Sequence, residues 1–342
     1  MNSLRIIHRW CGIVLAALIV VIALSGALSA FRGDLTRVEL PAARGTISPE
    51  SFGPALDTFA AANPEKLLSV KLAPYGLATH AAFLDGGTSA WIDAQGIAVE
   101  RWQGTRGLGN WALQLHHKLL IGDTGEIITG IIGIAGLGMV LTGLVLYWPT
   151  RRAFTWRLWP ASGKRPALLK SHRNLALLLA IPLLLQFGSG AAMVFDREIA
   201  GLLGTSAPAA PTVSPDTPKS SWTQVIAAAR AAVPGAAVRA VSAPRAPDKP
   251  YSVRLQQAED INPEGATRVF VAGGEVVAVN NPAQQGGTAQ FLSQQLGLHT
   301  FGYIRGLPAQ LLLASLGILL AALALLGLFS WLRAPQRRTV DL

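Results

Sequence analysis

Histidines are the residues of this chain best placed to do chemistry. There are six, His8, His80, His116, His117, His172 and His299, and four of them recur in two kinds of setting. His8 and His172 each precede an arginine and each opens a long apolar run. His116 and His299 each follow a leucine and lie about ten residues ahead of another such run. An imidazole at the edge of an apolar run has two uses: polar anchor at an interface, or nitrogen ligand to a metal. One histidine so placed reads as an anchor. Four in matched settings favour ligation. Zinc fits poorly, because its sites gather three or four close ligands with cysteine or carboxylate help. Cys11 is the only cysteine, so there is no intrachain disulfide framework and no cysteine-held iron–sulfur cluster.

The elements that position these histidines follow from where charge is missing. Of the 342 residues, 51% are hydrophobic and 14% charged, against ~25% charged in soluble domains. Residues 10–31, 127–150, 174–195 and 306–332 carry no charge. About 20 apolar residues cross the ~30 Å hydrocarbon core of a bilayer. The expected fold class is therefore an integral membrane α-helical protein with four transmembrane helices. Two polar stretches between the spans, 32–115 and 221–298, are each long enough for a small domain. A basic loop (151–171), a linker rich in Pro, Ala, Ser and Thr (within 196–220) and a tail (333–342) complete the division.

Charge placement gives an orientation. Residues 1–9, 149–171 and 333–342 hold eleven of the 29 Lys and Arg and one acid, Asp341. The rest of the chain balances, so the net +10 falls on one face. By the positive-inside rule that face is cytoplasmic. The sequence thus predicts a bacterial inner-membrane protein with both termini in the cytoplasm and both polar domains outside. The basic charge marks topology, and no nucleic-acid partner is expected. Residues 1–30 partly resemble a secretory signal. Their apolar run is longer than a usual signal core, so they are read as a retained span.

The polar stretches share a pattern. In the first, residues 48–63 read as a helix, followed by strand-like pieces at 67–72, 77–84, 88–93 and 97–102. In the second, residues 221–233 read as a helix capped by Ser221, followed by strands at 238–242, 251–256, 267–271 and 275–279. The chain is written twice as span, outer α+β domain, span. The repeat carries the histidines: His8 and His172 fall at the cytoplasmic ends of their spans, His116 and His299 at the outer face. Each face then offers one pair. Two neutral imidazoles on facing helices are what a haem b needs on its two sides. The expected cofactors are two haem b groups, with His8 and His172 as ligands to one iron and His116 and His299 to the other. Neighbours on a helix point about 100° apart, so only one of His116 and His117 can face His299. His116 is chosen because Leu115-His116 matches Leu298-His299.

HRWCGIVLAALIVVIALSGAL, LHHKLLIGDTGEIITGIIG, SHRNLALLLAIPLLL and LHTFGYIRGLPAQLLL resemble the four signature stretches of the PepSY-associated transmembrane proteins. The two outer domains resemble PepSY domains. Among iron-regulated members of that family, the ferric-siderophore reductases bind two b haems and reduce ferric iron outside the inner membrane. The resemblance carries the family's histidines onto His8, His116, His172 and His299. One departure is Gly33, where an acid is expected.

The resemblance implies a dihaem transmembrane reductase that passes electrons to a ferric siderophore or other ferric chelate outside. No protein side chain is expected to act as a separate catalytic group. The chain has no Gly-rich dinucleotide-binding turn after a strand, so an external donor is implied, either a soluble reductase or membrane quinol. The alternative is a non-enzymatic, membrane-anchored binding or regulatory protein. A proton-coupled transporter fits less well, since no Asp or Glu lies inside a charge-free span.

Overall fold

The computed structural model describes residues 2–63, 65–205, 209–302, 304 and 306–334. Tyr303 and Arg305, which fall in the last signature stretch, lie outside the described residues, as do part of the linker (206–208) and most of the tail (335–342). The chain divides into two compact units: residues 1–30, 112–194 and 305–342, and residues 31–111 and 195–304.

The first unit is a helical bundle of α1 (Asn2–Ser29), α5 (Asp123–Tyr147), α6 (Arg165–Val194) and α12 (Leu307–Leu332), all long and apolar enough to cross a membrane. In lipid the backbone must satisfy its own hydrogen bonds, so charge-free runs of this length become helices. α1 packs chiefly on α12 and α5 on α6; α1 also meets α5, and α6 meets α12. The four form a ring in which α1 and α6 are diagonal. Glycines set the close approaches. A Cβ on Gly317 would lie 2.5 Å from Ala23 O, and one on Gly136 would lie 2.5 Å from the Phe187 ring. Small residues at such contacts let membrane helices pack closely. The second half of α4 (Leu108–Lys118), which carries His116 and His117, also belongs to this unit.

The second unit opens with α2 (Arg32–Glu39) and α3 (Phe52–Ala62). Strands β1 (Leu67–Lys71), β2 (His80–Leu84), β3 (Thr88–Ile92) and β4 (Ala98–Gln103) follow. After α7 (Asp196–Leu202) come α8 (Trp222–Ala232) and strands β5 (Ala237–Ser242), β6 (Tyr251–Gln256), β7 (Thr267–Ala272) and β8 (Glu275–Asn280). Short helices α9 (Pro282–Gln285), α10 (Gly287–Ser293) and α11 (Gln295–His299) end it. The strands form one antiparallel sheet in the order β4-β3-β2-β1-β5-β6-β7-β8. The two sheets expected from sequence are thus joined edge to edge, with Ser69, Val70 and Lys71 of β1 opposite Ser242, Val241 and Ala240 of β5.

α3 and α8 cover one face. Leu56 and Phe59 of α3 and Val225, Ile226 and Ala229 of α8 bury against Val70, Ile92, Val241, Val253, Leu255 and Val269. Each fully buried side chain of this size contributes roughly 1.5–3 kcal/mol. The helices nearly touch, since a Cβ on Gly53 would lie 2.6 Å from Thr223 Cα. Asp57 of α3 accepts from the backbone N–H groups of Trp222 (2.6 Å) and Thr223 (3.1 Å), joining the capping box of Ser221 and Gln224 at the start of α8. On the other face, Leu40, Ala43 and Leu77 cover Ala81 and Trp91. Gly33 has a local reason: a Cβ there would sit 2.8 Å from Tyr75 Cβ, so no acidic side chain fits without rearrangement.

Candidate functional site

His8 and His172 are brought together. They stand near the starts of α1 and α6, the diagonal helices of the ring, close enough to interact electrostatically. Each ring is held by a different neighbour. His172 Nδ1 lies 2.9 Å from the carbonyl oxygen of Leu323 on α12. A carbonyl can only accept, so Nδ1 carries the proton and Nε2 the lone pair. His8 Nδ1 lies 2.9 Å from Thr142 Oγ1 on α5, and that hydroxyl already donates to Gly138 O at 2.8 Å. Thr142 therefore accepts from His8, and His8 takes the same tautomer.

At the other end of α1, His116 reaches in from α4. Its Nδ1 is 2.7 Å from Ile22 O, which again places the proton on Nδ1 and the lone pair on Nε2. Gly26 makes room, since a Cβ there would sit 2.7 Å from the His116 ring. Along α1, His8 and Gly26 are separated by about 27 Å at 1.5 Å per residue. The two histidine layers therefore lie at opposite ends of the bundle. The turn that presents His116 is tightly closed. Leu119 and Leu120 have φ of 48° and 61°. Lys118 Nζ meets Asp123 and Glu126, each at 2.9 Å. Thr129 Oγ1 donates to His117 O at 2.7 Å. His117 is exposed, while His116 is partly buried.

His299 ends α11 and belongs to the second unit, whereas His116 belongs to the first. One local correspondence links their surroundings. The span after each is capped by a glycine in nearly the same unusual conformation: Gly122 at φ 70°, ψ −145° and Gly306 at φ 69°, ψ −151°. That region is essentially restricted to glycine.

The donor set fits haem. Three imidazoles are held through Nδ1 so that Nε2 carries the lone pair, the pattern by which outer partners orient metal-binding histidines. Glycines lie against them: Gly143 beside His8, Gly327 beside His172 and Gly26 beside His116, with built Cβ atoms 3.4, 3.1 and 2.7 Å from the rings. Arg173 adds a buried Nε with no hydrogen-bond partner, a group suited to a carboxylate such as a propionate. Among the described residues, no three His, Cys, Asp or Glu side chains gather into a metal-holding group.

His80 serves differently. It is fully buried beneath α3, edge-on to Phe52 with ring centroids 5.0 Å apart. Its Nδ1 accepts from Ala73 N–H at 3.1 Å, so Nε2 carries the proton, the reverse of the other three tautomers. Burial pushes its pKa down to about 4. Sequence reasoning overlooked Thr142 and the glycines facing His8 and His172, Gly143 and Gly327. A threonine one residue before a glycine in a span was visible, but its pairing with His8 needs the helix arrangement.

Residues 5–334 match the family model described as the PepSY-associated TM region. No curated protein matches the chain.

Proposed function

The chain belongs to the PepSY-associated transmembrane family, and from that premise we propose that it is a dihaem b reductase. It would carry electrons from the cytoplasmic side of the bacterial inner membrane to a ferric chelate of siderophore type outside. The observation that carries this reading is the shared tautomer of His8, His116 and His172, each with Nδ1 engaged and the lone pair on Nε2. In this reading His8 and His172 hold one haem and His116 and His299 the other. Haem iron, when bound, supplies one-electron chemistry.

The protein's own groups then have distinct tasks. Leu323 O, Thr142 Oγ1 and Ile22 O fix the ring orientations and raise the basicity of Nε2. Arg173 answers a propionate charge. The apolar spans keep water from the histidine layers. Electrons come from an external donor, a soluble reductase or quinol. Two repeated halves are supported by the helix-then-four-strands order of α3 and β1–β4 against α8 and β5–β8, and by the matched caps Gly122 and Gly306. The Lys and Arg bias supports an outer location for the sheet unit.

The test is a reduced-minus-oxidised spectrum of the purified full chain with haem quantitation. Two low-spin b haems per chain are expected, with reoxidation on adding a ferric chelate. A colourless protein overturns the reading in favour of a membrane-anchored binding or regulatory role.

A further inference from the structure

The sheet face turned away from α3 and α8 carries a row of positive charge. In register, Lys71 of β1 faces Ala240 of β5, Ala240 faces Arg254 of β6, and Arg254 faces Arg268 of β7. Side chains at paired positions share a face. Their chain neighbours Val70, Val241, Val253 and Val269 fill the helix-covered core, so the row lies on the opposite side. At ~4.8 Å between strands, Lys71 and Arg268 are about 14 Å apart. Arg239, at a bulge between Val238 and Ala240, joins the row by donating Nε–H to Gln256 Oε1 at 2.9 Å.

Among the described residues, Glu264 brings a carboxylate to this row and meets Lys71 Nζ at 3.4 Å. Lys71, Arg254 and Arg268 are three cations in register, and Glu264 answers one of their charges. Like charges directly opposed on a sheet are destabilising, yet β6 and β7 pair Arg254 with Arg268 at one register position. Arg254 is partly buried and donates Nε–H to Gly265 O at 3.0 Å. Burial, and then the charge of Arg268, push its pKa down. Arg268 is exposed. Ala240 leaves room between Lys71 and Arg254. A guanidinium matches a carboxylate with two parallel N–H donors.

We propose that the row formed by Lys71, Arg239, Arg254 and Arg268 docks a polycarboxylate anion. The ferric chelate handled by this protein is then an anionic, carboxylate-rich one; this last step rests on the reductase reading above. An anion between Arg254 and Arg268 relieves the repulsion that the register imposes.

The experiment uses the full chain in detergent and gallium(III) citrate, which binds like a ferric chelate but is not reduced. Calorimetric binding is expected at low salt and weakens as salt rises. Arg268→Gln and Arg254→Gln should each lower affinity tenfold or more. Arg268 is exposed, so its variant retains the fold even if Arg254→Gln does not. Lys164→Gln, in the basic loop, should bind as wild type. A gallium trihydroxamate carrying a free ammonium should bind at least tenfold more weakly than the citrate complex. No binding of gallium citrate by wild type, unchanged binding by Arg268→Gln, or equal binding of the ammonium complex each overturns the proposal. So does loss of binding to phosphatidylglycerol vesicles in Arg268→Gln without competition by citrate, which makes the row a lipid contact. Haem spectra of the same samples separate the two readings. A haem-free protein whose citrate binding is lost in Arg268→Gln retains the anion site and sinks the reductase. A dihaem protein that ignores citrate sinks the anion site alone.

Discussion

His172 on α6 is held by α12, through a hydrogen bond from its Nδ1 to the carbonyl oxygen of Leu323 at 2.9 Å. The ring is therefore oriented by backbone, and a substitution of His172 removes the proposed ligand without disturbing that support. His172→Ala and His8→Ala are each expected to drop haem content from two per chain to one, with membrane insertion unchanged. Haem-to-protein ratios after purification check this. Two haems retained in both variants would remove the pairing.

Thr142 orients His8 from α5. Thr142→Val deletes the acceptor while keeping the shape. Losing such an outer partner weakens metal sites by about 10–100-fold. The expected result is easier haem loss from the His8 site under dilution, with a shifted midpoint potential for that haem alone. A titration indistinguishable from wild type assigns Thr142 to packing only.

At the opposite end, His116→Ala should lose one haem and the ability of the pre-reduced protein to reduce a ferric chelate. His117→Ala should keep the haem, since His117 is exposed and His116 engages Ile22. The reverse outcome moves the ligand by one residue. Gly26→Val should reproduce the His116→Ala defect by displacing the ring, whereas Gly188→Ala, which meets nothing within 4 Å, should not.

Orientation is checked by reporters. A fusion after Leu342 should read as cytoplasmic and an insertion within residues 204–219 as extracytoplasmic. Reversed signals would invert the proposed direction of electron flow.

His80 makes stability depend on pH. Burial holds its pKa at about 4 in the folded chain, below the ordinary histidine value of 6.5, so between those values the unfolded chain binds the extra proton. Stability is complete above pH 6.5 and is lost as pH falls toward 4, by about 2 kcal/mol at pH 5 relative to pH 7. His80→Gln should flatten the change in unfolding midpoint between those two pH values. An unaltered slope would assign the pH sensitivity elsewhere.

Much of this molecule was legible because membrane spans are written in length and charge, and outer helices and strands in period and caps. The strands at 251–256 and 267–271 and the Ser221 cap were found within a residue. The β1–β5 junction was not, because the buried Leu67 and Val70 mark which face of β1 meets the core and leave the identity of its edge partner open. The candidate ligands were visible as histidines in matched contexts. Two of their supports, Ile22 O and Leu323 O, are backbone atoms that any residue would supply. No side-chain type announces them.

The central pairing of β1 with β5 also sets an order of assembly. When Val70 emerges during synthesis, Val241, its sheet partner, is still separated from it by two membrane helices yet to be inserted. Until then β1 is an open edge, a template for pairing with the wrong chain. The first half-sheet must therefore wait with β1 unpaired until the second arrives. Truncation after the second span would leave that edge permanently unpaired, so such a fragment should aggregate even though its own helix and four strands are complete.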